Sequence, residues 1–317
     1  MRIELAPMEG ITSYVYRNAI NTFYGGIDTY FTPFISTHKD KELNFKEKKE
    51  INPDNNIGIN LIPQVLTSDA DEFLYTSGQI AEYGYNHVNI NFGCPSGTVT
   101  TKRKGAGALL DLQGLESLLD KIFSNTDLQI SIKTRIGYTD KSEWENILEV
   151  YKKFPITELI VHGRVREQFY KGVSDAEFVA QSIKALPFKV SYNGDIFSVS
   201  DYLRVEELMP SADAFMLGRG LIATPWLAGS IKKTSQEADI NVFKEFNHAL
   251  IEGYDKIMPG EKNTLFKLKE LWIYMIRNFE ETGCAGSDFS NPNPGKILKK
   301  IRKCNSLREY ETIINGL

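Results

Sequence analysis

VNINFGCPSGTVTTKRKGAGALL, residues 88–110, joins an apolar strand to a Cys-Pro loop and then to a basic, glycine-rich segment. Alternating apolar residues from Val88 to Phe92 predict the strand, and Pro95 ends it because proline cannot continue a sheet ladder. Cys94 is therefore predicted at the end of a strand. A free cysteine is most often a small buried apolar residue, so its role depends on what surrounds it.

This strand is one of eight short strand-like runs along the chain. The runs are 2–6, 28–34, 58–65, 86–92, 128–134, 157–162, 188–193 and 213–217. Segments with helical character lie between them at 12–23, 68–83, 114–124, 142–153, 175–185 and 198–209, and a short one follows Thr224-Pro225. This alternation predicts an α/β fold, a (β/α)8 TIM barrel. A doubly wound sheet is the alternative, but no GxGxxG motif follows the first strand.

Beyond the barrel, the chain carries helical periodicity without strands, at 241–257, 264–282 and 294–317. The polar run KTSQEAD at 233–239 is interpreted as a linker, and DFSNPNPG as a turn-rich connector between the last two helical segments. We therefore predict a barrel domain at 1–235 followed by a small C-terminal α-helical domain at 240–317. The charged, Asn-rich stretch 38–57 is predicted to be a long loop.

Composition narrows the classes of protein that this chain can be. It has 317 residues, of which 42% are hydrophobic and 25% charged, as in ordinary globular proteins. No leader-like start and no apolar run of about 18 residues is present, so we expect a cytoplasmic protein that does not enter a membrane. Cys94, Cys284 and Cys304 show no CxxC spacing and only four histidines accompany them, so neither a disulfide framework nor a metal site is expected.

Unusual residues, most of them polar, stand where seven of the eight predicted strands end, which is where a barrel of this type carries its chemistry. They are Pro7-Met8-Glu9-Gly10, Gln64, Asn91 with Cys94, Lys133 with Arg135, His162 with Arg164, Asn193-Gly194-Asp195 and Gly218-Arg219-Gly220. Cations after strands 5 and 6, with glycine-rich turns after strands 7 and 8, are typical of a site for a phosphate-bearing cofactor. A lysine in the barrel mouth, Lys133, could hold the electron-rich edge of a reduced flavin.

With those residues in view, the chain resembles the tRNA-dihydrouridine synthase family, which is flavin-dependent and has an amino-terminal barrel and a carboxy-terminal helical domain. The resemblance covers nearly the whole chain. It rests on APMEG (6–10), Gln64, NFGCP (91–95) leading to GAGALL (105–110), IKTRIG (132–137), VHGRVREQFYKG (161–172), NGDI (193–196) and MLGRG (216–220). The opening MRIELAPMEG and the helix LFKLKELWIYMIR are most similar to the bacterial C branch of the family.

The resemblance implies reduction of a uridine in the tRNA D-loop to 5,6-dihydrouridine, with NADPH or NADH reducing bound FMN. The implied cofactor-binding residues are Pro7, Met8, Glu9, Gln64, Lys133, His162, Asn193, Gly194, Asp195, Gly218 and Arg219. Cys94 would be the general acid, because hydride delivery to C6 of uracil builds charge toward C5, and a protonated thiol can quench it there. Asn91 is assigned to the uracil edge.

A uridine in a folded tRNA must leave its stack to enter a barrel mouth, and its RNA needs phosphate contacts around that mouth. The candidates for contact with tRNA are Lys102, Arg103, Lys104, Arg135, Lys267, Lys269, Tyr274 and Arg277, together with the cations of 296–303. Arg164 and Arg166 are assigned either to the cofactor phosphate or to RNA. Trp272 is expected in the packed core of its helix.

Two features depart from the family pattern. The segment between Cys94 and GAGALL is one residue longer than usual, which leaves open which of Lys102, Arg103 and Lys104 faces the substrate. Strand 2 ends in FTPFIS without a charged residue, which leaves the particular uridine open. Two other functions stay possible on the sequence: a dihydroorotate dehydrogenase acting on a small pyrimidine, and a barrel that binds RNA without catalysis. We expect a monomer.

Overall fold

The computed structural model describes residues 1–184, 186–234, 239–277 and 294–317. Ten strands form one sheet in which every pairing is parallel. They are β1 (Arg2–Leu5), β2 (Thr29–Phe31), β3 (Ile35–Ser36), β4 (Leu61–Ile62), β5 (Gln64–Leu66), β6 (His87–Phe92), β7 (Gln129–Arg135), β8 (Glu158–His162), β9 (Lys189–Asn193) and β10 (Ala214–Leu217). The predicted strand positions are confirmed to within a few residues.

The ten strands are the eight predicted ones with two of them broken by proline. Pro33 separates β2 from β3, and Pro63 separates β4 from β5, because proline lacks the N–H that a ladder needs. β2 pairs with β4 while β3 pairs with β5, so both halves of strand 2 lie against strand 3. The order β3-β5-β6-β7-β8-β9-β10-β1-β2-β4 therefore closes on itself as an eight-stranded barrel.

A small apolar cluster fills part of the barrel. It consists of Ala6, Phe31, Ile62, Ile160 and Met216, all less than 9% exposed. Burial of side chains of this size is worth about 1.5–3 kcal/mol each and stabilises the closed sheet.

The α-helices that follow the strands have these bounds: α1 (Tyr14–Phe23), α2 (Phe45–Ile51), α3 (Ala70–Glu82), α4 (Gly97–Thr100), α5 (Leu112–Phe123), α6 (Trp144–Tyr151), α7 (Ala176–Ser182), α8 (Val199–Leu208), α9 (Arg219–Ala223) and α10 (Leu227–Lys232). The prediction of a continuous loop over 38–57 is wrong, because α2 lies within it. The side chain of Asn44 caps that helix by accepting hydrogen bonds from the backbone N–H groups of Lys46 and Glu47. In turn, the Glu47 carboxylate accepts a hydrogen bond from the N–H of Asn44. Such a capping box needs no apolar period to start a helix.

The C-terminal segment contains α11 (Ile240–Asp255), α12 (Glu261–Met275), α13 (Pro294–Lys303) and α14 (Leu307–Asn315). The single segment predicted over 294–317 is broken, because Ser306 caps a new helix by accepting from the N–H of Glu309. Trp272 is fully buried and its indole N–H donates to the Tyr310 hydroxyl at 2.6 Å, which confirms its expected core position. The predicted connector DFSNPNPG lies almost wholly outside the described residues, as does most of the predicted linker.

The described residues form two compact units. The first comprises Met1–Glu9, Asp28–Asp195 and Leu203–Leu217, and the second Gly10–Ile27, Ile196–Tyr202 and Gly218–Leu317. The predicted assignment of a catalytic domain to 1–235 and a tRNA-binding domain to 240–317 stays a prediction. None of the helices in the described ranges is both long enough and apolar enough to span a bilayer.

Candidate active site

The loop that carries Cys94 is held by the side chain of the last polar residue of β6. Asn91 Oδ1 accepts hydrogen bonds from the backbone N–H groups of Gly93 and Cys94, at 3.0 and 2.8 Å. The Cys94 carbonyl accepts from the N–H of Ala106 at 3.0 Å. Gly105 has φ +57°, and a Cβ there would meet that carbonyl oxygen at 2.8 Å, so glycine is required. The thiol position is therefore fixed from both sides.

Asn91 is the first member of a hydrogen-bonded chain of buried polar side chains inside the barrel. Asn91 Nδ2 donates to Gln64 Oε1 at 2.8 Å, Gln64 Nε2 donates to Asn89 Oδ1 at 2.7 Å, and Asn89 Nδ2 donates to Ser131 Oγ at 2.8 Å. Ser131 Oγ in turn lies 2.9 Å from His87 Nε2.

The orientation of each amide in this chain follows from the Cys94 loop. Because Asn91 Oδ1 must accept from two backbone N–H groups, its Nδ2 faces Gln64 and determines how Gln64 and Asn89 turn. The cofactor residue Gln64 predicted from the sequence is thus joined to the loop that holds Cys94.

Lys133 stands on β7 in register with Asn91 on β6. Burial, and then the Arg135 guanidinium, lower the pKa of the Lys133 amine from 10.5 to about 7. Among the described residues, no hydrogen bond or ion pair reaches Lys133 Nζ. A partly buried cation without a protein partner is suited to an anionic or electron-rich ligand group.

The Cys94 thiol is half-buried in the barrel mouth. Burial raises the pKa of this thiol, and it outweighs the hydrogen bond from the Ser96 backbone and the charges of Arg135 and Lys133, which lower it. The thiol is therefore protonated at neutral pH.

Arg135 ties the loops after β6 and β8 together. Its Nε donates to the Gly93 carbonyl at 2.8 Å, and its Nη1 donates to the carbonyls of Val165 and Phe169, each at 3.0 Å. The residue is 2% exposed. These contacts give Arg135 a structural place beside Cys94, while its predicted contact with tRNA stays a prediction.

His162, at the end of β8, is buried and neutral. Its Nδ1–H donates to the Asn193 carbonyl at 2.9 Å, which leaves Nε2 as an acceptor 3.5 Å from Arg164 Nη1. Burial, together with the charges of Arg135 and then Lys133, holds the pKa of His162 well below its usual value. The imidazole ring is therefore uncharged and can accept a hydrogen bond at Nε2.

Arg164 is buried and forms a bidentate ion pair with Asp195. Its Nη1 donates to Asp195 Oδ1 at 3.2 Å, and its Nη2 donates to Asp195 Oδ2. It also donates to the carbonyls of Lys171 and Gly172, at 3.2 and 2.7 Å. Asp195 further accepts from the N–H of Ser174 at 3.1 Å. Arg164 therefore fastens the turn after β9 to the loop after β8.

The remaining predicted cofactor residues lie in three places. Asn193 Nδ2 donates to the Met216 carbonyl at 2.8 Å, and a Cβ on Gly194 would meet the Tyr192 hydroxyl at 2.0 Å. Pro7, Met8 and Glu9 follow β1, with Pro7 and Met8 half-buried and Glu9 exposed beside Lys46 at 3.6 Å. Gly218 and Arg219 belong to the second unit, where the Arg219 guanidinium lies 5.5 Å from the ring of Phe197.

Two cations of the basic stretch after Cys94 point outward and one points inward. Lys102 and Arg103 are exposed. Lys104 Nζ donates to the carbonyl and the hydroxyl of Thr37, at 2.7 and 3.2 Å, and lies 3.6 Å from Glu72. Of the three residues whose orientation the sequence left open, Lys102 and Arg103 are the ones available to a large ligand.

In the second unit, several predicted RNA contacts already have protein partners. Lys267 Nζ donates to the Gly10 carbonyl and to Glu270, and Lys269 Nζ donates to the carbonyls of Arg302 and Cys304, at 3.0 and 2.5 Å. Arg277 lies 3.9 Å from the Phe197 ring centroid, and Tyr274 is half-buried. Their predicted contacts with tRNA stay predictions.

Sequence reasoning missed three features of this region. They are the hydrogen-bonded chain that continues from Asn91 through Gln64 to Asn89, the ion pair between Arg164 and Asp195, and the backbone conformation of Phe169. The first had a visible signal, because His87, Asn89 and Asn91 alternate in HVNINF and so share one face of a strand. Within the described ranges, no group of three His, Cys, Asp or Glu side chains is placed to share a metal ion.

Comparison with known proteins identifies the family of this chain. A family model described as Dihydrouridine synthase (Dus) matches residues 4–262. The chain belongs to the dihydrouridine synthase family. The resemblance stated from the motifs is thereby confirmed, and with it the class of enzyme.

Relatives in this family match most of the chain. The chain is similar at 28% identity to the tRNA-dihydrouridine(16) synthase of Neisseria meningitidis serogroup B, over 99% of this chain and 96% of that protein. It is 32% identical to tRNA-dihydrouridine synthase B of Pasteurella multocida, over 71% of this chain and 67% of that protein.

Solved structures share the fold at low identity. Histamine dehydrogenase from Rhizobium sp. 4-9 is 12% identical with a TM-score of 0.56, over 80% of this chain and 48% of that chain. The old yellow enzyme homologue from Zymomonas mobilis is 9% identical with a TM-score of 0.50, over 76% of this chain and 92% of that chain. At this identity, the similarity shows the barrel fold alone.

Proposed function

We propose that this protein reduces a uridine in the tRNA D-loop to 5,6-dihydrouridine, with FMN as cofactor and NADPH or NADH as reductant. Membership of the dihydrouridine synthase family supports the reaction. The observation that carries the proposal is the pairing of two groups at one barrel mouth. One is a protonated thiol on a fixed loop, Cys94, and the other is Lys133, whose amine has no hydrogen bond or ion pair among the described residues. A cytoplasmic monomer stays a prediction.

The residues present fit an FMN group. Lys133 offers an amine that is unpaired within the part of the chain that the structure describes, and negative charge accumulates on the pyrimidine edge of a flavin when it is reduced. Glycine is required at position 194 because a Cβ there would collide with Tyr192, and a glycine-containing turn after this strand is typical of phosphate sites in barrels of this type. Gln64 has one Nε2–H beyond the one given to Asn89, so it presents a donor to an acceptor atom. When bound, FMN would supply the hydride for C6 of the uracil.

Cys94 would supply the proton for C5. Donation requires a protonated group within hydrogen-bond reach of the carbon that gains charge, and burial keeps this thiol protonated. Asn91 fixes the loop through the N–H groups of Gly93 and Cys94, and the second Nδ2–H of Asn91 is left as a donor for the uracil edge. The exposed Lys102 and Arg103 on the next turn would meet RNA phosphates.

The reaction is tested by following the flavin. The purified protein should show a flavin absorption band that bleaches with NADPH and recovers without oxygen only when tRNA lacking dihydrouridine is added. Cys94→Ala should keep the band and the bleaching but lose the recovery. Cys304→Ala is the matched control, because it removes a buried thiol of the helical segment and should leave the recovery unchanged.

Three results would contradict the proposal, each in its own way. Recovery by Cys94→Ala at the parent rate would remove the general-acid role. Rapid bleaching by dihydroorotate would indicate a small-molecule pyrimidine enzyme. A colourless protein that binds tRNA would indicate a binding protein without redox chemistry.

A further inference from the structure

Phe169 occupies a backbone conformation that aromatic residues rarely adopt. Its φ is +50° and its ψ is −102°, and the N–H of Lys171 donates to the Gln168 carbonyl at 2.7 Å. This is the first central position of a type II′ turn, where glycine predominates because a Cβ is strained at positive φ. Strain of this kind persists only where the surroundings enforce it, and it concentrates at functional sites.

Packing of the ring does not explain the strain. Phe169 is 40% exposed and the next residue, Tyr170, is 55% exposed, so the turn holds two aromatic side chains toward solvent. A fully buried ring offsets a strained backbone through apolar burial, and a partly exposed ring offsets less. The conformation places the side chain of Phe169 at the surface of the turn.

The turn is fixed to the Cys94 loop by two arginines. Arg135 donates to the carbonyls of both Gly93 and Phe169, at 2.8 and 3.0 Å. Arg166 Nε donates to the Pro95 carbonyl at 3.1 Å, and its guanidinium carbon lies 4.9 Å from the Phe169 ring centroid. The exposed ring is therefore held beside the loop that carries the thiol, and a cation lies next to it.

We propose that the Phe169 ring is a stacking platform for an unstacked nucleobase next to the target uridine in the RNA substrate. Arg166 supports this ring from a position between the rings of Phe169 and Tyr138, with its guanidinium carbon 4.9 and 5.1 Å from their centroids. The inference rests on the proposed function. Unstacked bases in RNA are bound by aromatic rings and by guanidinium planes, while cations nearby meet the phosphates. Arg166 Nη2 also donates to the hydroxyl of Thr100 at 3.3 Å; Thr100 ends α4, and Lys102 and Arg103 follow it.

Exposure beside a cation is not sufficient on its own. Phe45 is 75% exposed and lies 4.5 Å from Lys49 Nζ, yet it is an ordinary residue of α2 with no backbone strain. It lies in the same unit as Phe169 and supplies a matched control.

The platform is tested by steady-state NADPH oxidation with tRNA in variants at Phe169. Phe169→Gly should raise the KM for tRNA about 5- to 150-fold, the range that loss of one stacked base produces, with kcat little changed. Its Tm should equal or exceed that of the parent, because glycine relieves the positive φ. Phe169→Leu should lose affinity to a similar extent, and Phe169→Trp should retain it. Phe45→Ala should leave KM at the parent value.

The stability readout separates a binding role from a structural one. A lower Tm for Phe169→Gly with the parent KM would mean that the ring only supports the fold, and the proposal would be wrong. Parent affinity in Phe169→Leu would mean that apolar contact suffices without a stacking face, which also overturns it. If the parent protein itself does not oxidise NADPH in response to tRNA, the proposed function fails, which is a distinct result.

Discussion

Replacing Lys133 by methionine should make the cofactor-free protein more stable and its cofactor site weaker. Methionine keeps the length of the side chain and removes the charge. In the cofactor-free protein, the Lys133 amine has no hydrogen bond or ion pair within the described residues, and burial lowers its pKa from 10.5 to about 7. The folded state therefore bears the cost of an unpaired cation, and the variant does not.

The size of the effect follows from that shift. A change from 10.5 to about 7 corresponds to roughly 5 kcal/mol of differential free energy. Because part of the side chain remains in contact with water, screening reduces this, and we expect Lys133→Met to raise the free energy of unfolding by about 2 kcal/mol at pH 6.

The pH dependence has a definite sign. Since the folded pKa lies below the unfolded one, the unfolded chain binds the extra proton between about pH 7 and 10.5, so parent stability rises with pH there. The advantage of Lys133→Met is therefore complete below about pH 7 and shrinks to about 1 kcal/mol or less by pH 9.

The assay is urea unfolding of flavin-free protein at pH 6 and pH 9, followed by circular dichroism, with FMN affinity measured by fluorescence quenching. Lys152→Met is the control, because its amine is exposed and lies 2.7 Å from Glu149, so its loss should change stability by about 0–1 kcal/mol without this trend. A Lys133→Met protein that is less stable than the parent at pH 6, or that binds FMN as tightly, would refute the reasoning.

Three further predictions concern the groups around the barrel mouth and the basic surfaces. Asn89→Leu leaves Gln64 Nε2 without its acceptor in a buried chain, and urea unfolding should show a free energy of unfolding lower by about 1–3 kcal/mol. Lys102→Ala combined with Arg103→Ala should weaken tRNA binding. The slope of log Kd against log salt concentration should fall by roughly one to two, as measured by filter binding from low to high salt. Lys269→Ala should instead mainly lower Tm, because that amine already donates to two carbonyls.

The strands were predictable because a parallel barrel imposes strong local signals. Each strand is a short apolar run, and the polar residue or glycine that ends it stands where the chemistry of this fold lies. The breaks at Pro33 and Pro63 follow from the same rule, since proline removes one donor from a ladder. By contrast, α2 depends on a reciprocal cap between Asn44 and Glu47, which hydrophobic periodicity does not reveal.

The partners of charged side chains were not predictable from the sequence. Lys104, Arg135 and Lys269 were all assigned to RNA on charge alone, and in the structure each donates to backbone carbonyls. A positive residue beside a cysteine or in a basic run has two uses, as a ligand contact and as a clamp between loops. Only the three-dimensional arrangement of carbonyls distinguishes them, because carbonyl positions depend on turns that lie far away in the sequence.

The clamp at Arg135 also bears on how the thiol keeps its proton. A cation this close lowers the pKa of Cys94, as does Lys133, and a general acid would lose its proton if these charges prevailed. Burial prevails instead, and the pKa of the Cys94 thiol is raised. Lys133→Met removes one of the two charges that favour the thiolate, so Cys94 stays protonated in that variant. A loss of turnover there would therefore report on the cofactor and not on the supply of the proton.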